Sequence, residues 1–296
     1  MQQTVTTRRV RSRDLWLSVR EHGSPGPRRQ SLVLVHGYPD QQDVWDDVVA
    51  ALDQDTLHVV TYDVRGAGAS GVPGDRSGYR AALLVDDLAA VVQATVPPDR
   101  PVHLAGHDWG SVQLWDAVSD QRGHPALTGR IASYTSISGP SLDHVATLAR
   151  RGGMLRAAPR QALRSWYVYA FHVPAVPDLL WRHGHRAAGR LLARLEGLSG
   201  DRWGPELPGN AVNGLELYRA NVLPRLREAL PLSTKVPVQV LQPRRDRYVT
   251  GALLRGLEEA CSDLTVKELD AAHWVMLSRP REVAALLQEH VLRNAG

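Results

Sequence analysis

The 296-residue sequence predicts an α/β fold: a mostly parallel sheet with helices on both faces, interrupted by one helical insertion. Three observations predict it. Short apolar runs alternate with segments of helical periodicity through the first half of the chain. Strand signals then vanish from about residue 142 to residue 231. They return at Val236-Pro237-Val238-Gln239-Val240-Leu241, and a second strand-and-helix alternation closes the chain.

Each element follows from local pattern. Residues 4–11 and 15–20 read as antiparallel edge strands. Leu32-Val33-Leu34-Val35 reads as a strand buried on both faces, 44–52 as a helix and Val59-Val60-Thr61-Tyr62 as the next strand. Residues 81–96 have helical periodicity and stop at Pro97-Pro98. Val102-His103-Leu104-Ala105 is a strand, and 131–137 is another. After Gly139-Pro140 the chain turns helical and rich in Arg and aromatics. Its last part reads as a strand at 236–241, a helix at 251–260, a strand at 264–269 and a helix at 280–292. The domain organisation expected is core (1–140), helical insertion (141–231) and core again (232–296). There is no internal repeat or low-complexity segment.

Composition narrows the function classes. Hydrophobic residues make up 43% of the chain, enough for a full core. Cys261 is the single cysteine, which excludes an internal disulfide and fits a reducing cytoplasm. The first residues lack the apolar core of a secretory signal, and no apolar run approaches the ~20 residues that span a bilayer. The expected location is therefore cytoplasmic. The pI of 9.4 accompanies a net charge of only +4, and Lys235 and Lys267 are the only lysines. No nucleic-acid module or aromatic–basic stripe is present. Arg150, Arg151, Arg156, Arg160 and Arg164 cluster, which reads as a solvated face.

The chemistry centres on Leu104-Ala105-Gly106-His107-Asp108-Trp109-Gly110. Small residues stand two before and two after Asp108, the spacing of a nucleophile elbow between a strand and a helix. Aspartate at the elbow points to alkyl chemistry, since a carboxylate opens a strained ring or displaces a halide to form an ester. An ordinary Asp, with a pKa of about 3.9, is ionised at neutral pH. The simpler alternative is a helix cap. His273 follows the last strand, and Asp246 follows the strand ending at Leu241. The order Asp108, Asp246, His273 is nucleophile, acid, base, the chain order of α/β-hydrolase triads. Taken singly, the histidine reads as structural and the aspartate as a surface ion-pair partner. His36-Gly37-Tyr38-Pro39 closes an earlier strand, so the Tyr38 N–H is placed to join the Trp109 N–H in an oxyanion hole. The Tyr38–Pro39 bond is a candidate for the cis form. The glycine-rich run 63–70 lacks dinucleotide spacing and reads as a structural loop.

In these motifs the chain resembles the epoxide hydrolases of the α/β-hydrolase fold, from about Ser31 onward. His36-Gly37-Tyr38-Pro39, the 63–70 loop, Gly106–Gly110 and His273-Trp274 carry the likeness. It looks closest to the hydrolase half of actinobacterial proteins that fuse an epoxide hydrolase to a short-chain dehydrogenase; the 296 residues contain no dehydrogenase half. The resemblance implies that the insertion is a cap supplying two tyrosines to the epoxide oxygen. Ser165-Trp166-Tyr167-Val168-Tyr169-Ala170-Phe171-His172-Val173-Pro174 resembles the first tyrosine motif, aligning Tyr167 with the catalytic position and His172 with a usual glutamine. Tyr169 competes with Tyr167 for the inward position. Leu217-Tyr218-Arg219-Ala220-Asn221 resembles the second motif and carries Tyr218. Both tyrosines also fit a plain aromatic core. Trp109, Phe171 and Trp274 are candidate substrate-lining residues. Trp166, Trp181, Leu179 and Leu180 suggest an apolar or aromatic pocket. The implied activity converts an epoxide and water to a vicinal diol without metal or cofactor, as monomer or homodimer. Two alternatives stay open: a haloalkane dehalogenase, and a non-catalytic relative that binds an apolar ligand.

Overall fold

The computed structural model describes residues 5–150, 161, 163–198 and 202–295. Eight strands form one sheet: β1 (Val5–Ser12), β2 (Leu15–His22), β3 (Gln30–Val35), β4 (Leu57–Tyr62), β5 (Val102–His107), β6 (Ile131–Ile137), β7 (Val238–Pro243) and β8 (Leu264–Leu269). Their spatial order is β1-β2-β4-β3-β5-β6-β7-β8. The β2 strand pairs antiparallel with both β1 and β4, and every other pairing is parallel. The expected antiparallel N-terminal pair is therefore present, with β1 at the edge.

Alternation along β3 explains the layering. Leu32 and Leu34 point into one core with Val44, Trp45, Val283 and Leu287. Val33 and Val35 point into the other with Leu84, Leu88, Leu114 and Trp115. The first layer contains α1 (Asp46–Ala51) and the C-terminal helix; the second contains α2 (Ala81–Thr95) and α3 (Trp109–Val118). Strands covered on both faces have no room for polar alternation, so β4, β5 and β7 are buried throughout.

Between β6 and β7 the described residues hold four helices and no strand: α4 (Leu142–Arg150), α5 (Trp166–Ala170), α6 (Val176–Glu196) and α7 (Leu207–Arg227). The α7 helix is tied firmly to the sheet domain. Arg225 bonds Asp116 of α3 at 2.6 Å and Asp143 of α4 at 2.9 Å. Asn210 accepts from the Gly68 N–H (2.9 Å) and Asn221 from the Ala81 N–H (2.7 Å). At Gly214 any Cβ would lie 2.5 Å from the Tyr38 ring, so glycine lets α7 rest directly on that residue.

The 63–70 loop is structural, as read. Asp63 accepts from the Gln42 and Ala69 N–H groups, both at 2.9 Å. One expectation changes. Residues 251–260 do not form a helix but two 3₁₀ turns, Gly251–Leu254 and Leu257–Glu259. Gly256 lies between them with φ +74°, a conformation that stops helix propagation. The two described members of the arginine cluster, Arg150 and Arg164, are exposed. Arg150 donates to the Leu226 and Arg227 carbonyls, and Arg164 to the Asp246 carbonyl. Arg151, Arg156 and Arg160 lie outside the described residues. After β8 the chain forms α8 (Val275–Ser278) and α9 (Pro280–Arg293). Among the described residues no helix is long and apolar enough to cross a membrane.

Candidate active site

Asp108 stands at the turn from β5 to α3 with φ +50° and ψ −120°, outside the regions favoured by L-residues. The neighbours permit this turn because they are small. A Cβ on Gly110 would lie 2.1 Å from the Val35 carbonyl oxygen, so no larger residue fits there. The Asp108 side chain makes no helix-capping bond, against the capping alternative.

Asp108 Oδ1 accepts the Tyr38 backbone N–H at 2.8 Å. The Tyr38–Pro39 bond is cis. His273 Nε2 lies 3.7 Å from Asp108 Oδ2, and His273 Nδ1 lies 3.0 Å from Asp246 Oδ2. Asp246 Oδ1 accepts from the Tyr248 and Val249 N–H groups at 2.7 and 2.9 Å. Asp246 is thus a buried partner of His273 rather than a surface ion-pair residue.

The electrostatics follow from burial and charge. Burial lifts the Asp108 carboxyl to about 6, against the pull of His273 and of the Tyr38 and Trp109 N–H groups. That is higher than the ordinary value the sequence suggests, yet the group is mainly ionised at neutral pH. Burial disfavours the His273 cation, but Asp246 and Asp108 outweigh it and raise the imidazole to about 9. Asp246 is held low: His273 and the two N–H donors prevail over its desolvation. Burial and the Asp108 charge push the Tyr167 and Tyr218 phenols well above their usual range.

Two apolar cavities meet at Asp108. One, of about 170 Å³, runs past Pro140, Leu142, Val145 and Leu226. The other, of about 260 Å³, runs past Phe171, Trp181, Leu192 and Trp274. Tyr167, Tyr218 and Tyr248 border both. The rings of Tyr167 and Tyr218 are 6.1 Å apart, and Tyr218 packs on Trp109 at 5.0 Å. Tyr169 is 61% exposed and borders only the first cavity, whereas Tyr167 borders both. All three candidate lining residues touch a cavity, Trp109 the first and Phe171 and Trp274 the second. Leu179 and Leu180 do not; both are exposed.

Four contributors are not visible as motifs. Glu196, the last residue of α6, accepts the His273 backbone N–H at 2.9 Å. Asp40 accepts from the Trp274 indole at 2.7 Å and the Trp203 indole at 2.9 Å. The loop carrying the imidazole is therefore braced from the insertion. Tyr248 packs against the His273 ring at 4.8 Å. Its position two residues after Asp246 was the only sequence signal among the four.

A family model described as alpha/beta hydrolase fold matches residues 30–280. The probable oxidoreductase EphD of Mycobacterium tuberculosis is 33% identical over 289 residues, covering 92% of this chain and 47% of that protein. Epoxide hydrolase A of the same species is 31% identical over 180 residues, 58% of this chain and 49% of that protein. The chain spans about half the length of EphD. The crystal structure of epoxide hydrolase A from Mycobacterium thermoresistibile superposes with a TM-score of 0.77 at 24% identity, over 99% of both chains. That match in topology accompanies the family match over most of the sequence: the chain belongs to the α/β-hydrolase fold family, and the relatives it resembles there include epoxide hydrolases.

Proposed function

We propose that this chain hydrolyses apolar epoxides to vicinal diols through an ester on Asp108. The observation that carries the reading is the pair Tyr167 and Tyr218 bordering both cavities where they meet at Asp108. A halide leaving group has no use for two phenols, whereas an epoxide oxygen that becomes an alkoxide needs a proton. The segment 141–231 acts as the cap that supplies them.

Phenols held far above neutral pH stay protonated and donate to the epoxide oxygen. With Oδ1 tied to the Tyr38 N–H, Asp108 Oδ2 attacks a ring carbon, and the C–O bond breaks as the ester forms. The alkoxide takes a tyrosine proton. Esterification removes the Asp108 charge that held the His273 proton, so His273 releases it and balances the tyrosine's loss. Neutral His273, oriented by Asp246, then deprotonates a water that attacks the ester carbonyl. The Tyr38 and Trp109 N–H groups face the resulting oxyanion. Collapse expels the diol oxygen, which takes the proton from His273.

The test is diol and halide release measured in parallel from aryl and alkyl epoxides and haloalkanes, with Asp108→Ala as the blank. Diol production that vanishes in the blank is expected. The His273→Gln variant should accumulate the ester, read as an added substrate mass on the intact protein. Tyr167→Phe combined with Tyr218→Phe should lose ring opening; full activity there would remove the tyrosines from the mechanism. Halide release without diol would make the enzyme a dehalogenase, and unchanged ligand would leave a binding protein.

A further inference from the structure

The outer face of α6 has a composition that the catalytic reading leaves unused. Leu180, Ala187, Leu191 and Leu195 are all exposed and recur at i, i+7, i+11 and i+15, which places them in one stripe. Arg186, Arg190 and Arg194 recur at i, i+4 and i+8 and form an exposed stripe beside it. The helix contains no acid between residues 179 and 195. Its two acids are engaged elsewhere: Asp178 pairs with Arg219 at 2.6 Å, and Glu196 holds the His273 N–H. Among the described residues no carboxylate pairs with Arg186, Arg190 or Arg194.

The apolar stripe is continuous with a cavity rim. Leu191 and Leu195 are 58% and 44% exposed, yet both border the cavity that leads past Phe171 to Asp108. Trp166, 66% exposed, borders the same cavity from α5. A helix with leucines along one edge, arginines along the next and a tryptophan beside it has the composition of an interfacial helix lying in the plane of a membrane surface.

We propose that this face docks on a lipid bilayer containing anionic lipids, and that the second cavity opens toward the acyl chains. Unpaired arginines meet the lipid phosphates, while Leu180, Leu191, Leu195 and Trp166 enter the headgroup boundary. A protein partner over the same leucines would close the cavity mouth. A bilayer covers them and is at the same time the phase in which apolar epoxides concentrate. The delivery of substrate rests on the proposed hydrolysis; the docking does not, and is read without substrate.

The experiment is co-sedimentation of the full chain with phosphatidylcholine vesicles, with and without phosphatidylglycerol. Binding is expected only with phosphatidylglycerol, weakening as salt screens the arginines. Each arginine near an anionic surface contributes about 1 kcal/mol, so Arg186→Gln/Arg190→Gln/Arg194→Gln should lower partition about a hundredfold. Leu180→Ser should lower it as well. Both variants keep wild-type turnover of a water-soluble epoxide, and both lose turnover of an epoxide carried in the anionic vesicles. Equal sedimentation with both vesicle types, no sedimentation with either, or an undiminished partition of the triple variant would overturn the proposal. Self-association abolished by Leu180→Ser, without vesicle binding, would assign the face to a second copy of the chain instead.

Discussion

Between about pH 6 and pH 9 the resting site holds Asp108 as an anion and His273 as a cation, 3.7 Å apart. This ion pair sets a pH dependence for ring opening. In the proposed mechanism Asp108 attacks only when ionised, so ester formation in a single turnover should fall about tenfold per pH unit below about 6. The His273 cation lowers the Asp108 carboxyl, so removing it has a definite sign. In His273→Gln the acid limb should move to higher pH. Quenched-flow mass measurement of the adduct against pH checks this. A limb that stays in place or moves down would mean the imidazole does not stabilise the nucleophile's charge. Asp108 and His273 were legible in the sequence because the elbow demands small neighbours and the triad has a fixed chain order. Their shifted pKa values were not, since burial and a charge 3.7 Å away arise only once the loops after β5 and β8 come together in the fold.

At the level of elements, the insertion does more than cover the site. The end of α6 grips the loop after β8 through Glu196, and Trp203 shares Asp40 with Trp274. Leaving the His273 N–H without an acceptor in a buried setting costs about 1–3 kcal/mol, and its orientation suffers with it. Glu196→Ala should therefore slow ester hydrolysis about tenfold while leaving ring opening near wild type. Glu196→Gln keeps a carbonyl acceptor and should recover most of the rate. Steady-state adduct, measured by intact mass, separates the two steps: it should rise in Ala and not in Gln. Equal behaviour of the two variants would reduce Glu196 to a structural contact. No sequence pattern announces this residue, because a glutamate at a helix end is usually solvated. Residues 251–260 were misread for a related reason. Their apolar spacing suits a helix, and only the positive φ of Gly256 shows why none forms.

For the whole molecule, the parallel sheet was legible because doubly covered strands must be apolar throughout. That same rule makes His103 anomalous. It lies in β5, fully buried, with Nδ1 2.8 Å from Ser133 Oγ of β6 and Nε2 without a partner. Burial lowers its imidazole to about 4, so it folds neutral. In the unfolded chain the same group protonates near the ordinary value of 6.5. The folded pKa is depressed, so the contribution to stability is complete above about pH 6.5 and is lost as pH falls through about 4. By pH 4 the loss amounts to about 3 kcal/mol. Burial raises the carboxyls of Glu21, Asp40 and Asp87, which contribute with the opposite sign as pH falls and make the total slope a poor probe. The difference between wild type and His103→Gln isolates the one group, since glutamine does not titrate. Urea unfolding at pH 7 and pH 4 should show the wild type's standing relative to the variant falling by about 3 kcal/mol. A constant difference would mean that the imidazole is hydrated or partnered when folded. The strand affected is the one that leads into Asp108, so the loosening of β5 near pH 4 should follow the loss of ring opening that Asp108 sets below about 6, as a second and separate titration.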